Sequence, residues 1–156
     1  MPGFAELFVY GGGHGPALPW LDLEPDRTGP SRAPVTIMIV DDDRASRQVT
    51  ARLLREEGYQ VVEAESGEQA LGRLAEETVI EIVVTDIAMP GGMDGLELAE
   101  RILAATPWRR IVLISGYAKQ FPEFGTSGAR FPLLIKPFSP DQLSQQIREL
   151  LPGGRH

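Results

Sequence analysis

The stretch VTIMIVDDD, residues 35–43, decides the fold. Val35 to Val40 form a nearly continuous apolar run rich in β-branched residues, which is how a parallel strand buried on both faces reads. Three aspartates follow at once. Beyond them, Val49, Leu53 and Leu54 space an apolar stripe through RASRQVTARLLREEG, which predicts a helix stopped by Gly58. Asp43 is well placed to cap that helix, a structural role that accounts for it without any chemistry.

The same alternation continues along the chain. YQVVEA (59–64) is a short second strand, and Ser66 is a candidate N-cap for the helix GEQALGRLAEE. EIVVTD (81–86) is a third strand that again ends in an acid; the turn MPGGMDG and the helix LELAERILAA come next. IVLIS (111–115) is a fourth strand and FPLLI (131–135) a fifth, closed by Lys136. SPDQLSQQIREL reads as a last helix, with Ser139 as cap and Pro140 at its first position. Between the fourth and fifth strands, GYAKQFPEFGTSGARF carries Pro122, Gly125 and Gly128, which leaves room for a helical turn at most. The expected order is βαβαβαβ, an irregular stretch, then βα, and this implies a parallel sheet with helices on both faces.

In such a sheet the carboxyl ends of the strands meet at one edge, where function collects. Four of the five expected strands deliver a polar group there. Strand one gives Asp41, Asp42 and Asp43, strand three Asp86, strand four Ser115 and strand five Lys136. Crowded carboxylates repel, so at least one of their pKa values should rise unless a cation intervenes. A hard cation such as Mg2+, the ammonium of Lys136 and the hydroxyl of Ser115 would relieve that repulsion. A pocket of this composition can hold a phosphoryl group, with an aspartate as nucleophile.

Composition narrows the classes. Net charge is -7, from 22 acidic and 15 basic residues, with no basic cluster to track a phosphate backbone, so no nucleic-acid partner is expected. No apolar run is long enough to cross a bilayer, so no membrane partner is expected. The start MPGFAELFVYGGG has no basic residue ahead of its apolar part and reads poorly as a secretion signal. The chain has no cysteine, which excludes disulfide and thiolate chemistry and fits a reducing compartment. His14 and His156 stand in irregular ends, not on a helix that would suit a relay histidine.

Residues 1–33 hold six of the 17 glycines and five of the 13 prolines, so they read as an irregular N-terminal arm. Phe4, Leu7, Phe8, Trp20 and Leu21 give the arm apolar residues with which to pack on the domain or on a second copy, which makes a homodimer an admissible partner. The domain itself is expected over 34–150, with a tail at 151–156. Neither end has room for an output module, leaving a single-domain regulator or a piece of a larger kinase or regulator.

The segments IMIVDDD (37–43), VVTDIAMPGGMDGLEL (83–98), IVLISGY (111–117) and LLIKPF (133–138) resemble, in order and separation, the receiver domain of bacterial two-component response regulators, the CheY-like family. The resemblance covers about 34–150. It implies a flavodoxin-like, doubly wound five-stranded parallel sheet of order 2-1-3-4-5, with a short or irregular fourth helix. It implies that Asp41 and Asp42 help hold Mg2+ (or Mn2+ in its place), that Asp86 is the phosphoryl acceptor and a metal ligand, and that the backbone carbonyl of Ala88 is a further ligand. Ser115 would bond the phosphoryl oxygen, Lys136 would pair with it, and the Lys136–Pro137 bond would be cis. The implied partner is a sensor histidine kinase or a phosphotransfer protein, the implied location cytoplasmic, and the implied activity phosphoryl uptake with weak self-dephosphorylation.

The sequence departs from the family pattern at two modulating positions. Leu133 stands where a switch aromatic is usual, and Phe131 faces the same side on simple alternation. Tyr117, two residues past Ser115, would screen water from an acyl phosphate. The SGYA opening with a weak following helix resembles receivers attached to or paired with sensor kinases. Two other readings differ in class. A pseudo-receiver, an interaction module that never takes phosphate, would lack Asp86, the acidic pair or Lys136. A hydrolase with an aspartyl nucleophile would carry a second acid where Ala88 stands. A nucleotide-binding fold would need a glycine fingerprint after strand one, and GGGHG precedes the domain instead.

Overall fold

The structure, a computed structural model, describes residues 34–77, 79–116 and 131–151. Its elements run β1 (Thr36–Val40), α1 (Arg44–Glu56), β2 (Gln60–Ala64), α2 (Gly67–Glu76), β3 (Ile80–Asp86), α3 (Gly95–Ala105), β4 (Arg110–Ser115), β5 (Leu133–Ile135) and α4 (Pro140–Leu150). The five strands are parallel and lie in the order β2-β1-β3-β4-β5. This is the flavodoxin-like sheet that the family resemblance implies. The short or irregular fourth helix expected before β5 falls at 117–130, outside the described residues, as do the N-terminal arm and most of the C-terminal tail.

Side-chain alternation along each strand sends neighbours to opposite faces, and two apolar cores result. On one face Met38, Val40, Val83 and Leu113 pack with Ala70 and Leu74 of α2 and Leu98 and Ile102 of α3. On the other, Ile37, Ile39, Ile82, Val84 and Val112 pack with Leu54 of α1 and Leu143 and Ile147 of α4. A sheet covered on both sides explains why its strands read as unbroken apolar runs. Truncating one of the fully buried Leu or Ile side chains to Ala costs about 2–5 kcal/mol.

The helix starts are fixed locally. Asp43, Ser66, Asp94 and Ser139 each accept a backbone N–H in the first turn of α1, α2, α3 and α4. Ser139 and Gln142 complete a reciprocal capping box. Asp43 is therefore the helix cap that its position suggested.

Two local readings change. The stripe predicted for α1 was Val49, Leu53 and Leu54, but the helix buries Thr50, Ala51 and Leu54 and leaves Val49 60% exposed. Thr50 tolerates burial because its hydroxyl donates to the Ser46 carbonyl at 3.1 Å. β5 begins at Leu133, not Phe131, because Pro132 has no N–H for the ladder; its carbonyl still accepts from Leu113 N at 2.9 Å.

Candidate functional site

The strand order brings the ends of β1, β3, β4 and β5 side by side. Asp41 and Asp86 are buried and Asp42 is exposed. Carboxylate oxygens of these three residues lie within 4.8 Å of one another. A concentration of hard oxygen donors at this separation fits a divalent cation that prefers carboxylate and water ligands. Soft thiolate and imidazole donors are absent from the cluster, which disfavours the metals that prefer them.

Lys136 crosses this cluster. Its Nζ donates to Asp86 Oδ2 at 2.9 Å, lies 3.6 Å from Asp41 Oδ2 and reaches Ser46 Oγ at 3.4 Å. Lys136 N donates to the Ser115 carbonyl at 2.8 Å, which holds the lysine's backbone beside β4; the Lys136–Pro137 bond is cis, as expected. Ser115 is 1% exposed at the end of β4. The other oxygen of Asp86, Oδ1, accepts from Ala88 N at 3.2 Å, which ties this carboxylate to the loop that follows it.

Electrostatics follow from this geometry. Burial raises the pKa of Asp86 above the ordinary aspartate value; the hydrogen bond and charge of Lys136 pull it back, and the charge of Asp41 pushes it up. Burial works against the Lys136 ammonium, yet the hydrogen bond and charge of Asp86, with those of Asp41, outweigh it and raise its pKa. One lysine thus partners two crowded carboxylates, and Asp86 retains a net cost for its charge. A raised carboxylate was expected from crowding; burial is the larger cause here, and the charge of Asp41 the lesser one.

Gly95 sets how closely α3 approaches the site. A Cβ there would stand 2.0 Å from the Asp86 carbonyl oxygen and 2.8 Å from Ile87 Cα, so only glycine lets the start of α3 close onto the end of β3. Gly95 N donates to the Ile87 carbonyl at 2.9 Å, completing that closure.

Of the residues singled out in the sequence, the structure brings together Asp41, Asp42, Asp86, Lys136 and, at the adjoining strand end, Ser115. Leu133 packs, half-buried, against the same apolar cluster as Phe131, so the two do share a side. Tyr117 lies outside the described residues. Met89 and Met93, which flank the PGG turn, are buried in the core rather than turned to the cluster. Sequence reasoning missed Ser46 and Arg47. Arg47 donates to the Asp41 carbonyl at 2.8 Å and pairs with Glu63 at 3.3 Å, fixing the end of β1 from α1. Their position one turn after the Asp43 cap was the available signal, since the first turn of a helix lies over the strand end that leads into it.

Residues 37–148 match the family described as response regulator receiver domain. The chain is 38% identical over 119 residues to the sensor kinase CckA of Brucella abortus, covering 74% of this chain and 12% of that protein. It is 34% identical over 116 residues to the response regulator receiver protein CpdR of the same organism, covering 74% of this chain and 95% of that one. Among solved structures, the response regulator protein TrrA from Thermotoga maritima, in complex with Mg2+ and BeF, aligns with a TM-score of 0.67 at 32% identity, over 75% of this chain and 99% of that chain. The chain belongs to the response regulator receiver domain family, and it is a phosphorylatable receiver. Among the described residues, no helix is long and apolar enough to cross a membrane.

Proposed function

We propose that Asp86 is the phosphoryl acceptor. The observation that carries this reading is the junction of three carboxylates, with oxygens within 4.8 Å of one another, and an ammonium 2.9 Å from one of them. In the reaction, a carboxylate oxygen of Asp86 attacks the phosphorus of a phosphohistidine in line. The P–O bond forms as the P–N bond breaks, and the imidazole departs with its electron pair. Lys136 exchanges a carboxylate partner for a phosphoryl oxygen and offsets the added negative charge. Ser115 supplies a hydroxyl donor from the adjoining strand end. Asp41, Asp42, Asp86 and the Ala88 carbonyl would hold Mg2+, or Mn2+ in its place. When bound, that ion would neutralise charge on the transferring oxygens.

The donor in this reading is a sensor histidine kinase or a phosphotransfer protein, which places the domain in the cytoplasm. Similarity to the sensor kinase CckA supports a kinase pathway. An open apolar groove of about 520 Å³ lies beside Lys136, lined by Ala45, Val49, Leu53, Pro137 and Phe138, where the donor would approach. It also accounts for Val49, which the core does not bury. The signalling domain proper runs over 34–150, and residues 1–33 are an appended arm.

The test is phosphoryl transfer from acetyl phosphate, read by intact mass with Mg2+ and with chelator. A gain of one phosphoryl group, lost with chelator and in Asp86→Asn, is expected. Uptake that persists in Asp86→Asn would place the acceptor elsewhere. A protein that takes phosphate from neither acetyl phosphate nor phosphohistidine donors would be an interaction module.

A further inference from the structure

The loop between β3 and α3, residues 87–94, carries Ala88, the proposed carbonyl ligand. This loop is fastened at more places than its own ends. At its base, Ile87 N donates to the Ile114 carbonyl and Gly95 N to the Ile87 carbonyl, both at 2.9 Å. At its far end, beside the Asp94 cap of α3, Met93 N donates to Glu68 Oε1 at 3.3 Å. Glu68 belongs to the first turn of α2, 25 residues earlier in the chain. The same carboxylate oxygen lies 3.0 Å from where a Cβ on Gly92 would stand, so the loop backbone passes close under it. Next to it, Gly67 lets the Met93 side chain seat against the α2 start; a Cβ on Gly67 would meet Met93 Sδ at 2.9 Å.

Neither contact is needed to form α2. Ser66 already caps that helix by accepting from Gln69 N. Glu68 is otherwise solvent-exposed, and its side chain is turned to the loop of another element. A loop that must present a backbone carbonyl to a cation loses less freedom on binding when it is already held.

We infer that Glu68 is a positioning residue, which fixes the β3–α3 loop through Met93 N–H and so presets the Ala88 carbonyl for a divalent cation. This inference rests on the proposed metal-holding role of Asp41, Asp42, Asp86 and Ala88. Glu68 itself does not touch the ion. Its contribution is the order of the loop before the ion arrives.

The experiment is direct Mn2+ titration of the full chain, with free Mn2+ read by electron paramagnetic resonance, for the parent, Glu68→Ala, Glu68→Gln and Asp42→Asn. Glutamine keeps an acceptor oxygen and removes the charge. Glu68→Ala should weaken Mn2+ binding about threefold to tenfold, the scale of one lost hydrogen bond, while Glu68→Gln stays within about twofold of the parent. Amide hydrogen exchange at Met93 should accelerate in Glu68→Ala and not in Glu68→Gln. Parent-like Mn2+ binding in Glu68→Ala would overturn the tether and leave the metal reading standing. Equal weakening in both variants would also overturn it, since plain charge attraction would then explain the effect. A parent that binds no Mn2+, or binds it as well after Asp42→Asn, would overturn the metal reading, and the tether's purpose with it. Glu68 is exposed, so each variant should keep the parent's circular dichroism and melting temperature.

Discussion

Lys136 Nζ stands 2.9 Å from Asp86 Oδ2 and 3.6 Å from Asp41 Oδ2, so one ammonium is shared between the ends of two different strands. Fifty residues separate Lys136 from Asp86 in the chain.

Lys136→Ala should separate metal binding from phosphoryl uptake. Removing the ammonium leaves Asp41 and Asp86 without their shared partner, so Mn2+ or Mg2+ should bind roughly threefold to tenfold more tightly. Phosphoryl uptake from acetyl phosphate should fall at least about tenfold, because the divalent cation alone then offsets charge on the transferring oxygens. Calorimetric titration with Mg2+ and intact mass after acetyl phosphate check the two halves.

Acidity at Asp86 gives a signed prediction. Its pKa is raised in the folded state, chiefly by burial. The folded protein therefore holds this proton more tightly than the unfolded chain. Between the unfolded and folded pKa values the site's contribution to stability falls as pH rises, and above both the full cost remains. Without divalent cation, Asp86→Asn should melt higher than the parent at neutral pH, with the gap closing as pH falls below the ordinary aspartate range. A carbon-detected carboxyl titration should put the Asp86 midpoint above that range, and Mg2+ should move it down.

Mg2+ should raise the melting temperature of the parent. An ion that binds only the folded chain stabilises it by about 1.4 kcal/mol at ten times its dissociation constant. For a domain of this size the corresponding rise is roughly 3–6 °C. In Asp42→Asn the rise should be much smaller at the same Mg2+ concentration. Differential scanning fluorimetry with Mg2+ or with chelator makes the comparison.

Gly95→Ala should be costly despite its small size. The new methyl would stand 2.0 Å from the Asp86 carbonyl oxygen, a backbone atom with no rotamer to yield. A loss of about 3 kcal/mol or more in urea unfolding is expected. Phosphoryl uptake should fall too, even where the variant is folded, because the end of β3 must shift and carries Asp86 with it.

The sequence by itself determined the alternation of strands and helices, because hydrophobic periodicity and capping are local. Val35 to Val40, Ser66, Ser139 and Pro140 declare their roles within a few residues of themselves. It also determined that Asp41, Asp42, Asp86, Ser115 and Lys136 share an edge, since parallel strands joined by helices point the same way. The tertiary structure decided what depends on distance between elements remote in the chain. It chose Lys136 as the shared partner of Asp41 and Asp86, turned Val49 of α1 outward, and closed Gly95 onto Asp86. It set Arg47 against the Asp41 carbonyl and Glu68 against Met93 N. No periodicity encodes such contacts, because each arises only when elements remote in the chain are packed together on one sheet.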